Sequence, residues 1–112
     1  MKLKNNLSND ALLDMYADQG FDAFQLKQIE AGLEQCLDVS IYAKKAHSAN
    51  LMNLAKLLLA AGANLEQCVV GDKLDLNKLL TLQQYYLRLK KVKALTFHEL
   101  KMLRMYPYKR EN

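Results

Sequence analysis

Proline and glycine are scarce in this 112-residue chain, with one and four respectively. That scarcity, beside abundant Leu, Ala, Lys, Gln and Glu, favours helices over hairpins. Two cysteines, Cys36 and Cys68, are too few for a disulfide framework and read as reduced thiols of a cytosolic protein. The opening residues, MKLKNNLSND, hold no apolar run fit for a signal peptide. The longest apolar run, residues 57–63, falls far short of the ~20 residues that cross a bilayer. A soluble, cytoplasmic protein with no membrane contact is expected. Catalytic motifs are missing too: there is no Gly-rich phosphate loop, no Gly-x-Ser-x-Gly, no His-Glu-x-x-His and no Cys-x-x-Cys. Cys36, His47, Cys68 and His98 are too scattered to suggest a metal site, and both histidines, set beside helix caps, are expected to be solvated. The expectation is therefore no enzyme, no catalytic residue, no metal and no cofactor.

What is present is a globular composition, 51% hydrophobic and 25% charged. A chain of this size forms one domain and can bury roughly two-thirds of its unfolded surface without a disulfide or metal. Its charge is uneven. Residues 1–70 carry six lysines and eight acids, whereas residues 71–112 carry ten Lys/Arg and four acids, within a net charge of +4.

The stretch FDAFQLKQIEAGLEQCLDVSIYA, residues 21–43, carries the clearest pattern. Asp22 can accept from the free N–H groups of a first helical turn, and Gln25 can reach back to it in a variant capping box. Phe21 and Leu26 are spaced as a hydrophobic staple. Leu26, Ile29, Leu33 and Leu37 then recur on one helical face. A second short helix is expected from Ser40.

The same grammar runs along the chain. Residues 1–7 read as a lead-in ending in Leu7, stapled to Leu12. Ser8 caps a helix turning Leu12, Met15 and Tyr16 inward and stopping at Gly20. Ser48 caps another, with Met52, Ala55, Leu58 and Leu59 inward and Gly62 at its left-handed stop. Residues 64–70 return across the domain to Gly71. Asp75 caps a longer helix, with Leu74 and Leu79 stapled and Leu79, Leu82, Tyr86, Leu89 and Val92 as its buried stripe. Thr96 and Glu99 make a capping box for a last helix, which uses Leu100 and Leu103 and ends near Pro107. Asp10, Asp14, Asp18 and Asp22 recur every fourth position and read as a solvated face.

Aligned on these caps, the chain repeats. Tyr16-Ala17 returns as Tyr42-Ala43 at a spacing of 26, where Asp22 also meets Ser48 and Cys36 meets Gly62. A period in the twenties built from capped helices points to stacked helical repeats. Two resemblances accompany it. Residues 54–66 resemble, weakly, the second helix and exit of an ankyrin repeat, without its Thr-Pro-Leu-His motif. Residues 16–43 resemble a short tandem unit of small Firmicutes and mobile-element proteins, Phe-Asp-x-x-Gln-Met-x-x-Ile-Arg-x-Gly-Leu-Glu-x-Gly-Leu-Asp-Val-Ser-x-Tyr-Ala. Phe21, Asp22, Gln25, Ile29, Gly32, Leu33, Glu34, Leu37, Asp38, Val39, Ser40, Tyr42 and Ala43 match it. Leu26, Glu30 and Cys36 depart from it, the last replacing the helix-stop Gly. This resemblance implies a helical repeat of mobile-element origin and nothing catalytic.

The expected fold is all-α: a single helical-repeat domain of about five helices, with repeat-like helices over 8–70 and basic C-terminal helices and tail over 71–112. The expected function is a non-enzymatic protein-interaction module, with a phage- or mobile-element-borne inhibitor or adaptor of host machinery as its setting. Its contact residues are Tyr85, Arg88, Lys91, Lys101, Arg104 and Tyr108. Gln84, Arg88 and Lys91 share one face of the long helix, with Lys90 and Lys93 beside it, Lys109 and Arg110 beyond, and Tyr85, Tyr106 and Tyr108 interleaved. The alternative partner is nucleic acid, held through residues 84–110 by phosphate neutralisation and base stacking. Homo-oligomerisation is open, because the ends of a short repeat stack are to be capped or paired.

Overall fold

The computed structural model describes residues 8–109. The lead-in at 1–7, with the Leu7 staple, and Arg110 lie outside the described residues. The fold is all-α: α1 (Asn9–Asp18), α2 (Ala23–Glu34), α3 (Ala49–Ala60), α4 (Leu76–Arg88) and α5 (Phe97–Met105). Single 3-10 turns follow α2 and α3, at Val39–Ile41 and Leu65–Cys68.

Every helix begins on the residue its sequence marks. Ser8, Asp22, Ser48, Asp75 and Thr96 are the N-caps, each accepting from the N–H three residues on at 2.8–3.1 Å. Each such bond satisfies a donor that the helix cannot, worth about 1 kcal/mol. Gln25 and Glu99 complete two capping boxes by accepting from the Asp22 and Thr96 N–H groups. Helix exits are equally regular. α1, α2, α3 and α4 each leave through one left-handed residue, Gly20 (φ +98°), Cys36 (+62°), Gly62 (+94°) and Lys90 (+60°). Past α2, α3 and α4 the chain closes the paired N–H to C=O bonds of a Schellman turn, such as Leu37 N–H to Gly32 O and Lys91 N–H to Tyr86 O, both 3.0 Å.

The 26-residue offset is geometric. α2 and α3 are each 12 residues, set between an N-cap and a left-handed exit at matching places, Asp22 and Cys36 for α2 and Ser48 and Gly62 for α3. Asp38 and Asn64 then make the same turn, each side chain accepting from the N–H two residues on, and each opens a 3-10 turn. Buried Val39 and Leu65, and buried Tyr42 and Cys68, hold matching places.

The helices layer in chain order: α1 on α2, α2 on α3, and α3 on both α4 and α5. α3 is the centre, and its Leu51, Met52, Leu54, Ala55 and Leu58 are fully enclosed. Ile29, Leu33, Tyr42, Leu65, Leu74, Leu79 and Leu103 close over it. Four details differ from expectation. The short helix expected from Ser40 is a single 3-10 turn, Val39–Ile41, opened by Asp38. Met15 is 49% exposed, because Leu12, Leu13 and Tyr16 occupy the side of α1 that meets the core. Leu89 is 46% exposed, because α4 ends at Arg88 and the chain turns away at Lys90. The return at 64–74 contains a short antiparallel hairpin, β1 (Val69–Val70) and β2 (Lys73–Leu74), pairing Val69 with Leu74 and Val70 with Lys73. Gly71, at φ +68°, supplies the left-handed residue its two-residue turn requires.

Candidate partner-binding surface on the two C-terminal helices

Between Leu76 and Tyr106 the chain carries seven Lys/Arg and a single acid, Glu99. That acid is committed: its carboxylate caps the Thr96 N–H at 2.8 Å. Among the described residues the one ion pair is Lys109 Nζ to Asp22 Oδ2, at 2.6 Å. The seven cations of α4, α5 and their connector therefore meet no carboxylate among the described residues.

Amphipathic spacing decides where these charges stand. Leu79 and Gln83 are buried and turn α4 inward, leaving Asn77, Thr81, Gln84 and Arg88 on its outer ridge. Leu103 turns α5 inward, leaving Phe97, Lys101 and Arg104 along an exposed strip, with Phe97 84% exposed. Between the two helices runs a groove of about 370 Å³, lined by Leu80, Leu87, Ala94, Leu95 and Leu100 together with Asn77, Thr81, Gln83, Gln84 and Arg104. Five apolar side chains beside Arg104, with Arg88 and Lys101 exposed on the same helices, can hold an acidic, amphipathic segment by burying its apolar side and steering its charges.

The six residues singled out from sequence do not share one face. Arg104 lines this groove, Arg88 is exposed farther along the α4 ridge past Gln84, and Lys101 continues the α5 strip. Tyr85, half-exposed and packed edge-on against Tyr86 at 5.5 Å, lines a different crevice with Gln67, Cys68, Asp75, Lys78 and Thr81. Helical spacing puts Lys91 on the α4 face beside Gln84 and Arg88, but the Schellman exit at Lys90 carries it into the α4–α5 connector. There Lys90, Lys91 and Lys93 border an apolar cleft against Leu57, Ala60 and Ala61 of α3. Tyr108 is half-buried and structural. Its hydroxyl donates to Leu74 O at 2.7 Å and accepts from Leu76 N–H at 3.0 Å, and Lys73 Nζ sits 5.8 Å from its ring centre.

One buried polar cluster has no counterpart in the expectations. His47, expected to be solvated, is fully buried, with Nδ1 2.8 Å from Tyr42 O and Nε2 accepting from Leu74 N–H at 3.0 Å. Burial above all pushes its pKa below the ordinary value, with Lys44 and Lys73 adding to the push and the Tyr42 carbonyl and Asp72 opposing it. Buried Gln25 donates to Lys45 O and His47 O. Cys68, buried beside this cluster's hairpin, has its thiol pKa raised mainly by burial, which keeps it protonated. Among the described residues no three His, Cys, Asp or Glu side chains stand close enough to hold a metal ion, and no helix is long and apolar enough to cross a membrane.

No family model, curated protein or solved structure matches the chain.

Proposed function

We propose that this chain is a non-enzymatic interaction module that binds an acidic protein segment along α4 and α5. The observation supporting this reading is the groove between these helices, lined by five apolar side chains and by Arg104, with Arg88 and Lys101 exposed on the same two helices and none of the three meeting a carboxylate among the described residues. Arg88, Lys101 and Arg104 are the charged contacts, and Leu87, Leu95 and Leu100 receive apolar side chains. The resemblance of residues 16–43 to a mobile-element repeat supplies the setting: an inhibitor or adaptor acting in the cytoplasm on host machinery.

Nucleic acid is the second reading, favoured by one feature. Phe97, with most of its ring in solvent, stands four and seven residues before Lys101 and Arg104 on one strip of α5, an arrangement that can stack a base and neutralise phosphates. A single experiment separates the two. Tagged wild-type protein and an R88E/K101E/R104E variant are used to capture partners from host lysate, with and without nuclease, and read by mass spectrometry. Loss of specific protein partners in the variant, with nuclease having no effect on the wild type, supports the first reading. Loss of all partners after nuclease supports the second, and capture indifferent to the triple variant overturns both.

A further inference from the structure

The two ends of the helix stack are of opposite charge. Residues 9–43, which form α1, α2 and their turns, hold seven acids against Lys27, and Lys45 adds a second cation at the end of α1, where its Nζ donates to Gln19 O at 2.9 Å. Only Asp22 among those acids has an ion-pair partner within the described residues. Asp10, Asp14 and Asp18 are exposed on the side of α1 turned away from α2, since Leu12, Leu13 and Tyr16 take the packed side. Exposed Met15 lies beside them on the same outer surface. The other end of the layer order, α4, α5 and their connector, holds seven cations against two acids engaged in helix capping, Asp75 and Glu99, with the groove between its two helices.

Resting on the reading that this groove takes an acidic amphipathic segment, we propose that the segment is α1 of a second copy of this chain. Asp14 and Asp18 meet Arg88, Lys101 and Arg104 across the rim, and Met15 enters the groove. The contact is heterologous: each copy that uses its basic end still presents an acidic one, so copies add head to tail into chains or a closed ring. It also continues the internal order, because each new α1 lies over α4 and α5 as α2 lies over α1. Its strength comes largely from charges at the surface, and the screening length falls from about 30 Å at 0.01 M salt to about 8 Å at 0.15 M. The assembly is therefore a low-salt species that dissolves on salt addition.

Sedimentation velocity with light scattering on the full chain tests this at about 20 and 500 mM NaCl. The expected result is a mass that rises with concentration beyond a dimer at low salt and returns to monomer at high salt. Two neutralised variants, D14N/D18N and R88Q/K101Q/R104Q, change only exposed side chains, and circular dichroism reports whether each keeps its helices. Each alone is expected to be monomeric, weakened about tenfold or more by the loss of several rim pairs. Mixed one to one, they restore a single intact contact and give a dimer that grows no further. A wild type monomeric at low salt up to about 200 μM, a mixture that stays monomeric, or a neutralised variant that still associates alone overturns the proposal. A monomeric wild type that still captures a protein partner through Arg88 and Arg104 overturns self-assembly and leaves the acidic-segment reading standing.

Discussion

His47 has no surface in water, and both of its ring nitrogens face main-chain groups. The Tyr42 carbonyl can only accept and the Leu74 N–H can only donate, so both bonds form only with a neutral ring carrying its proton on Nδ1. A second proton on Nε2 would set two donors against each other. Because the folded-state pKa lies below the unfolded value near 6.5, the unfolded chain takes up a proton that the folded one refuses. The stabilising contribution is thus complete above that pH and is lost as pH falls below it. Urea unfolding at pH 8 and pH 5.5 should show a lower midpoint at the acid pH, and in an H47Q variant the difference should shrink; an equal pH effect in H47Q would clear this residue. His47→Ala should cost about 3 kcal/mol or more, since it strands two buried backbone groups and leaves a cavity. Gly32 is constrained by contact rather than by φ. A Cβ there would stand 2.6 Å from Val39 Cγ1 and closer still to the Tyr42 hydroxyl, which donates to Gln28 O at 2.7 Å. Gly32→Ala should therefore destabilise by about 2–3 kcal/mol. Combined with Tyr42→Phe it should be clearly less than additive in denaturant melts, whereas simple additivity would deny the clash.

Helix ends explain how the elements are joined, and two of the four left-handed exits lack glycine. Cys36 and Lys90 hold φ values of +62° and +60°, which cost an L-residue roughly 1 kcal/mol relative to Gly. Cys36→Gly and Lys90→Gly should each raise stability by about that amount, or several degrees in melting temperature. Gln35→Gly, one residue earlier at φ −92°, should lower it; a calorimeter that ranks the three otherwise would contradict the exit geometry. These ends also show what sequence could and could not deliver. All five N-caps were legible because a cap speaks only to residues two or three away. The exit at Lys90 was not, since apolar residues continue in helical register through Val92 and nothing local breaks them; Lys91 was consequently assigned to the wrong surface. The burial of His47 and the inward bonds of the Gln25 amide nitrogen were illegible for a different reason, although Gln25's capping role was plain: Lys45 O, His47 O and Leu74 N–H lie 20 to 27 residues from the side chains they meet and become neighbours only after α2, α3 and the hairpin have packed. The residues matching the tandem repeat turn out to be mostly architectural, with Phe21, Gln25, Ile29, Gly32, Leu33, Val39 and Tyr42 all buried. Of the expected contact set, Arg104 lines the groove and Arg88 and Lys101 are exposed on the two helices that form it, while Tyr85, Lys91 and Tyr108 are scattered by the fold.

At the scale of the molecule, the segment after α5 ties distant elements together. Pro107 O accepts from Ser48 N–H at 3.0 Å, and Lys109 N–H donates to Ala46 O at 2.6 Å, so the tail runs as a strap along residues 46–48. Tyr108 bonds the hairpin and the start of α4, and Lys109 reaches the cap of α2, 87 residues back. Burial acts to raise the Asp22 pKa, but the Lys109 bond and the Gln25 N–H outweigh it and hold the carboxyl below its usual range. Both ionic partners are some 40% exposed, which limits that pair to about 1 kcal/mol or less. The four hydrogen bonds around it contribute about 1 kcal/mol each, so the strap accounts for roughly 4–5 kcal/mol. A domain of this size is stable by only about 5–15 kcal/mol in total. Deleting residues 107–112 should accordingly bring the chain close to unfolding at 37 °C, and the loss should be spread over α2, α3 and α4, not confined to α5. Hydrogen exchange would distinguish the two: faster exchange at Ser48, Leu74 and the first turns of α2 and α4 supports a strap, while protection lost only within Phe97–Met105 would reduce the tail to a local cap. Tyr108→Phe, which keeps the ring and removes both hydroxyl bonds, should reproduce about 1–3 kcal/mol of the deletion's effect and leave the Ala46 and Ser48 contacts in place.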